Sequence, residues 1–567
     1  MPLLRLLIAT AGFSLCFSSL GCGTVNPSAK TVAASSTTAG LRGSLVVINA
    51  QVFGHPDANA VLIAGDRILD VGATSTLRHE ALEVIDAEGA WVAPGFVDPH
   101  VHLLKGGLSM TRVQLKGLTT PKEVGSEVER WAEANPKEPW VLGRGWSYDI
   151  TPVGTYPTRA TLDAAVPDRP VSLDAYDGHS VWCNSLALKL AGIDASTPDP
   201  PGGIIVREAD GKTPQGTLLE SARNLVRTHV PQPSRDQKLD ALYTALKHAR
   251  QLGITTVGDV SYESDRGELL AELLASGRLP IRVVVGLPLD DNLAAAVKNA
   301  PAWQSERLRL GFAKGFVDGV IESRTALMVA PYPDSNDRGH PLQERDVLEA
   351  NVQAAYDLGV PVALHAIGDG AVRMSLNVLE AVTKGRPMLS APARIEHIEV
   401  LHPSDVARFS KLSVVASMQP YHALPSDADT PSGPWSTNVG RARWPMTFPW
   451  RTLVDAGALV AFGSDWPVMS IDPLYGIAVA TTRRNSRGLP ESGRQPDQVL
   501  TANEAVNAYT ESSAKSLGLD EVGVLRPGAF ADLIILRKGV SFDHANTLWK
   551  TPGVKTVIVN GVSVSHK

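Results

Sequence analysis

Eight short apolar runs, most of them separated by helix-like stretches, constrain this chain more than any other feature. They fall at 93–97, 253–257, 281–285, 310–317, 361–364, 394–396, 414–417 and 459–462. Helical patterns such as 236–252 and 347–358 lie between them. Strands that alternate with helices pair in parallel, and eight such units close into a (β/α)8 barrel of the TIM type, an α/β fold. In that architecture the chemistry sits at the C-terminal ends of the strands.

The flanks read differently. From 44 to 93, apolar runs such as Leu45-Val46-Val47-Ile48 and Ala60-Val61-Leu62-Ile63 alternate with turns, and 520–567 carries similar runs. The two ends are expected to combine into one small β-sandwich module beside a barrel spanning 94–519. The stretch between the first and second barrel strands is too long for a simple crossover. Residues from about 105 to 235 read as an α+β insertion over the barrel mouth, where loops usually set specificity.

Composition excludes some classes. Of 567 residues, 44% are hydrophobic and 20% charged, and the net charge is -6, which fits a globular enzyme and leaves no basic signature for nucleic acid. A small-molecule substrate is the expected partner. At the N-terminus, Arg5 is followed by an apolar stretch from Leu6 to Leu20 and then Gly21-Cys22. Residues 1–22 read as an export signal, with Cys22 as a lipoprotein attachment site, although Ser19 stands where such sites usually carry Leu. A Ser/Thr/Ala/Gly-rich tether follows over 23–43. The protein is therefore expected in the periplasm or cell envelope, touching membrane only through that anchor. Of 3 cysteines, only Cys183 lies in the folded part, so neither an internal disulfide nor a thiolate metal cluster is expected there.

Candidate chemistry lies at strand ends. In Pro94-Gly95-Phe96-Val97-Asp98-Pro99-His100-Val101-His102, period-two geometry puts His100 and His102 on one side, a pairing that suits a divalent metal. His365, His397 and Asp465 close later strands. A lone histidine at a strand end is commonly structural; four histidines and one aspartate placed this way in one barrel point to a site. Lys314 ends the fourth run between Phe312 and Phe316, where an apolar setting lowers an amine pKa. The alternative is an ordinary lysine paired with Asp318. His179 in Asp177-Gly178-His179-Ser180 is a candidate for binding substrate or the oxyanion. Trp146, Tyr148 and Asp149 are candidates to line the pocket, as are Gln419 and His422 after the seventh run. The 11 tryptophans suit an apolar pocket, and aromatics at these positions suit a core equally well.

On these residues the sequence resembles the amidohydrolase superfamily, and within it the branch that includes N-substituted formamide deformylases. The strand-one motif carries the resemblance together with Lys314-Gly315-Phe316-Val317-Asp318-Gly319, His365, His397, Gly463-Ser464-Asp465 and Gly528-Ala529-Phe530-Ala531-Asp532-Leu533. The resemblance implies two divalent ions, zinc by default, with iron, manganese or cobalt suited to the same donors. His100, His102 and Asp465 would hold one ion and His365 and His397 the other, with Lys314, carbamylated by carbon dioxide, as the bridge. Asp465 would also act as the catalytic base on a metal-activated hydroxide that attacks an amide-like C–N bond in a formamide, N-acyl group or cyclic amide. The same scaffold serves esterases, lactonases and deaminases, and a non-catalytic surface binding lipoprotein is the reading from another class.

Overall fold

A computed structural model describes residues 43–152, 155–176, 180–201, 203–424, 434–550 and 552–565. The expected export signal and all but the last residue of the expected tether, 1–42, lie outside the described residues, and so does His179.

Eight parallel strands form one sheet: β1 (Phe96–Val101), β2 (Ile254–Asp259), β3 (Arg282–Pro288), β4 (Leu308–Phe316), β5 (Val362–Ala366), β6 (Arg394–His397), β7 (Val415–Met418) and β8 (Val460–Phe462). They stand side by side in chain order, each register parallel. The ring closes between β8 and β1 beyond the regular ladder. There Asp465 N–H donates to the His100 carbonyl at 2.9 Å and His102 N–H to the Trp466 carbonyl at 2.8 Å. The nearly closed α/β barrel agrees with the sequence expectation. Its strands are buried on both faces, which is why they read as continuous apolar runs. Helices follow where caps allow. Ser234 opens Arg235–Gln251 with a capping box, its hydroxyl accepting from Gln237 N–H while the Gln237 side chain returns to Ser234 N–H.

The first strand differs from its sequence reading. Residues 93–97 form no single strand. Trp91–Pro94 belongs to another sheet, where it pairs antiparallel with Leu533–Leu536, and β1 begins only at Phe96. Gly95 is the step between the two sheets. A Cβ there would sit 2.3 Å from the Thr255 side chain, so only glycine lets β1 and β2 approach at that point. Both sheets bury this stretch, and a continuous apolar run gives no sign of the break.

Residues from both ends of the chain build two sheets, one of four strands and one of five, that share a core of Leu45, Val47, Val61, Ile63, Val92, Leu533, Ile535 and Ile558. Between β1 and β2 lies a six-stranded sheet in the order Gly203–Arg207, Pro214–Glu220, Ser180–Cys183, Val171–Ala175, Val141–Trp146, Val113–Gln114. Its helices Pro121–Ala134 and Arg159–Ala165 cover one face around Val113, Val141, Leu173 and Trp146. Cys183 is buried and free, and burial pushes its thiol up to about 12, an inert state. No described helix is long and apolar enough to cross a membrane.

Candidate active site

At the C-terminal end of the barrel, donor atoms of His100, His397 and Asp465 all lie within 4.8 Å of one another. Three strands deliver them. His100 comes from the end of β1 and His397 from the end of β6, and Asp465 follows β8. His102 reaches the same carboxylate, its Nε2 3.2 Å from Asp465 Oδ1. The His365 ring at the end of β5 stands 4.4 Å from the His397 ring, centre to centre. The two backbone bonds that close the barrel also set Asp465 against His100 and His102. His397 and Asp465 both adopt positive φ, 75° and 56°, a conformation uncommon outside glycine and frequent where a side chain must be aimed.

Partners fix the ring orientations. The His100 Nδ1–H donates to Glu396 Oε2 at 2.7 Å, which leaves Nε2 with its lone pair facing the cluster. The His397 Nδ1–H donates to Gln419 Oε1 at 2.8 Å, with the same result. His365 Nε2–H donates to the Gly319 carbonyl at 3.2 Å, so its free lone pair is on Nδ1. Glu396 is itself held by Arg394 at 2.5 Å, and the Arg394 guanidinium lies over the Phe312 ring and donates to the Pro99 carbonyl. The pair Arg394–Glu396 is wholly buried beneath the cluster. Sequence reasoning missed it. The available signal was two charged residues at positions i and i+2 of a four-residue strand with no solvent-facing side.

Electrostatics favours the neutral form of His365 and His397, whereas burial of His100 is outweighed by its carboxylate partners, Glu396 first, which raise it. Burial, followed by the nearby Lys314, pushes His365 down to about 3, and burial, followed by the adjacent His365 and His100 rings, holds His397 well below the usual histidine range. Burial opposes ionisation of Asp465, yet the neighbouring imidazoles of His100 and His102 hold its carboxyl well below the usual range. Lys314 is buried and its Nζ has no hydrogen-bond partner among the described residues; burial pushes it down to about 8. The pairing of Lys314 with Asp318 does not form. Asp318 instead accepts backbone N–H bonds from Leu327, Ile367 and Gly368, which ties the loop after β4 to the loop after β5. Asp98 does similar work for the seam, accepting from the N–H groups of His100 and Ser464.

The remaining candidates divide. His422 faces the cluster, with Nε2 3.8 Å from Asp465 Oδ2 and Nδ1 3.5 Å from Glu399 Oε1. Gln419 stands behind His397 as its hydrogen-bond acceptor rather than at the front as a substrate contact. Trp146 is no pocket residue. It is wholly buried in the core of the insertion, its indole N–H donating to the Leu173 carbonyl and its ring packed on Trp182. Tyr148 packs edge-on against Trp146 and its hydroxyl lies 2.6 Å from Ser180 Oγ, a structural bond. The Asp149 side chain lies outside the described residues.

A model of the amidohydrolase family matches residues 83–565. The chain belongs to the amidohydrolase family. Among its relatives, this amidohydrolase is 34% identical over 520 residues to Protein LONG AFTER FAR-RED 3 of Arabidopsis thaliana, covering 88% of each chain. It is 29% identical over 522 residues to the N-substituted formamide deformylase of Arthrobacter pascens, covering 87% of this chain and 93% of that one. An uncharacterized metal-dependent hydrolase from Pyrococcus furiosus has a similar structure, with a TM-score of 0.70 at 26% identity, covering 88% of this chain and all of the other. The family and these hydrolase neighbours make the amidohydrolase a hydrolase of a metal-dependent kind.

Proposed function

We propose that this amidohydrolase cleaves an amide-like carbon–nitrogen bond in a formamide, an N-acyl group or a cyclic amide. The observation that carries the reading is the meeting of His100, His397 and Asp465 in a barrel whose buried Lys314 amine has no hydrogen-bond partner among the described residues. An apolar reaction would not need that set, and a structural cluster would leave no amine unsatisfied. The similarity to a formamide deformylase supports the choice of bond.

We read the site as one for two divalent ions, zinc by default, with the grouping of His100, His397 and Asp465 as its support. His100, His102 and Asp465 would hold one, and His365 and His397 the other. Lys314 would bridge them after its neutral amine adds carbon dioxide, forming a carbamate and releasing one proton. Such ions supply Lewis-acid activation of water and of the substrate carbonyl when bound. The chain's own groups do the rest. Asp465 takes the proton of the attacking water and delivers it to the leaving nitrogen. His422, beside Asp465, is placed to donate to the oxyanion, and His179 is a second candidate from sequence. Glu396 and Gln419 keep His100 and His397 in one tautomer each. The N-terminal sequence supports export, with Cys22 as the lipid anchor.

The test is metal content per purified chain, followed by turnover of N-alkyl formamides, N-acetyl amines, hydantoins and aryl esters. Metal with cleavage of a C–N substrate is expected. Cleavage of aryl esters with no C–N substrate turned over overturns the proposed bond.

A further inference from the structure

A cluster of cations lies between the catalytic end of the barrel and the insertion. Lys105 sits in the helix Leu103–Met110, which begins directly after His102. Arg112 precedes the strand Val113–Gln114. Gln114 is in register with Arg144, and Arg144 with Asp174, so in these parallel pairings their side chains share one face of the insertion sheet. The opposite face, around Val113 and Leu173, packs on the insertion's helices. Arg227 joins the polar face through Asp174, Nη2 to Oδ1 at 2.7 Å.

Among the described side chains, charge in this cluster does not balance. Asp174 is the carboxylate within it, it is already paired with Arg227, and the Asp465 carboxylate acts on Lys105 from the catalytic side. Lys105 and Arg112 make no side-chain hydrogen bond or ion pair to any described residue, and Arg144 Nη2 donates to the Tyr176 carbonyl. The surrounding protein, then Arg144, press the Lys105 ammonium below the ordinary lysine value, while burial lowers Arg112. Lys105 nevertheless stays accessible to solvent, and Arg112 and Arg144 are half-buried. Two cations without a partner among the described residues, Lys105 and Arg112, beside Arg144 in a partly desolvated place are unfavourable by themselves and attract an anion strongly.

We propose that Lys105, Arg112 and Arg144 form an anion subsite that takes a carboxylate carried by the substrate. The inference rests on the hydrolase reading, and it narrows the substrate class to amide-like compounds that bear an acid group a few bonds from the scissile bond. Lys105, three residues after His102, links the subsite to the reacting centre. Arg112 and Arg144 supply planar donors suited to a carboxylate.

The test uses the purified full chain and two probes with no hydrolysable bond, 3-phenylpropanoate and its neutral analogue 3-phenylpropan-1-ol, compared by titration calorimetry. The wild-type chain is expected to prefer the acid by about tenfold, the scale of a charge-assisted contact. Lys105→Met combined with Arg112→Met should lose the preference, while His100→Ala should keep it. No preference in the wild type, or an intact preference in the double variant, overturns the subsite. The two readings fail separately. A chain that cleaves formamides without preferring the acid sinks only this inference. A chain that prefers the acid but hydrolyses nothing sinks only the proposed function.

Discussion

The amide of Asp465 donates to the carbonyl of His100, and this 2.9 Å bond joins the last barrel strand to the first at the point where both residues enter the site. Closure of the barrel and assembly of the site are therefore one event. Gly463 stands two residues before the seam, and a Cβ there would lie 2.9 Å from Asp98 Oδ1 and 3.1 Å from the His100 Cβ. Gly463→Ala should destabilise the fold by about 1–3 kcal/mol through overpacking and lower metal occupancy with it. Denaturant midpoints and metal content should fall together; a normal metal content in a destabilised variant would separate seam from site.

Glu396 is the sole described acceptor for His100 Nδ1 and is paired with the buried Arg394. Glu396→Gln should weaken metal binding by about 10–100-fold, as loss of a partner behind a ligand does. Competition with a chelator measures it. Gln419→Leu should act in the same direction through His397. Unchanged affinity in both variants would remove the tautomer argument.

Lys314→Met replaces a buried, unpartnered amine with an apolar chain of similar length. The variant should fold at least as stably as the parent, because an unsatisfied buried group is removed. Metal content should drop from two ions per chain, and dependence of activity on bicarbonate should vanish. Two ions in the variant would eliminate the bridge.

Trp146→Ala should lower stability by about 3–5 kcal/mol, the range for emptying a buried aromatic site. Trp146→Phe should be much milder. KM for a cleaved substrate should move little in Trp146→Phe, since the ring faces the insertion's core. A large KM change at normal stability would return Trp146 to the pocket.

The barrel was legible because each strand is a short apolar run, and His100, His365, His397 and Asp465 stood out because each closes one. What escaped had no pattern of its own. The break at Gly95 lies inside one apolar run whose halves are buried in different sheets. Glu396 and Arg394 read as part of a strand, and only the convergence of β1 and β6 gives them a partner in His100. Trp146 and Tyr148 show the limit of composition. An aromatic residue in an insertion serves a core or a pocket equally well until its neighbours are known, and here those neighbours are Trp182 and Ser180. The cation cluster escaped because Lys105 and Arg112 are remote in sequence from Arg144 and Arg227, and the insertion sheet brings the two pairs together.

Trp91–Pro94 runs straight into β1 through Gly95, and its sheet partner is Leu533–Leu536 near the far end of the chain. During synthesis, the strand that leads to His100 has to wait for nearly the whole polypeptide before this partner emerges. Until then Trp91–Pro94 has only its parallel neighbour Gln51–Val52, and the strand bearing the first histidine pair is held on its barrel side by β2.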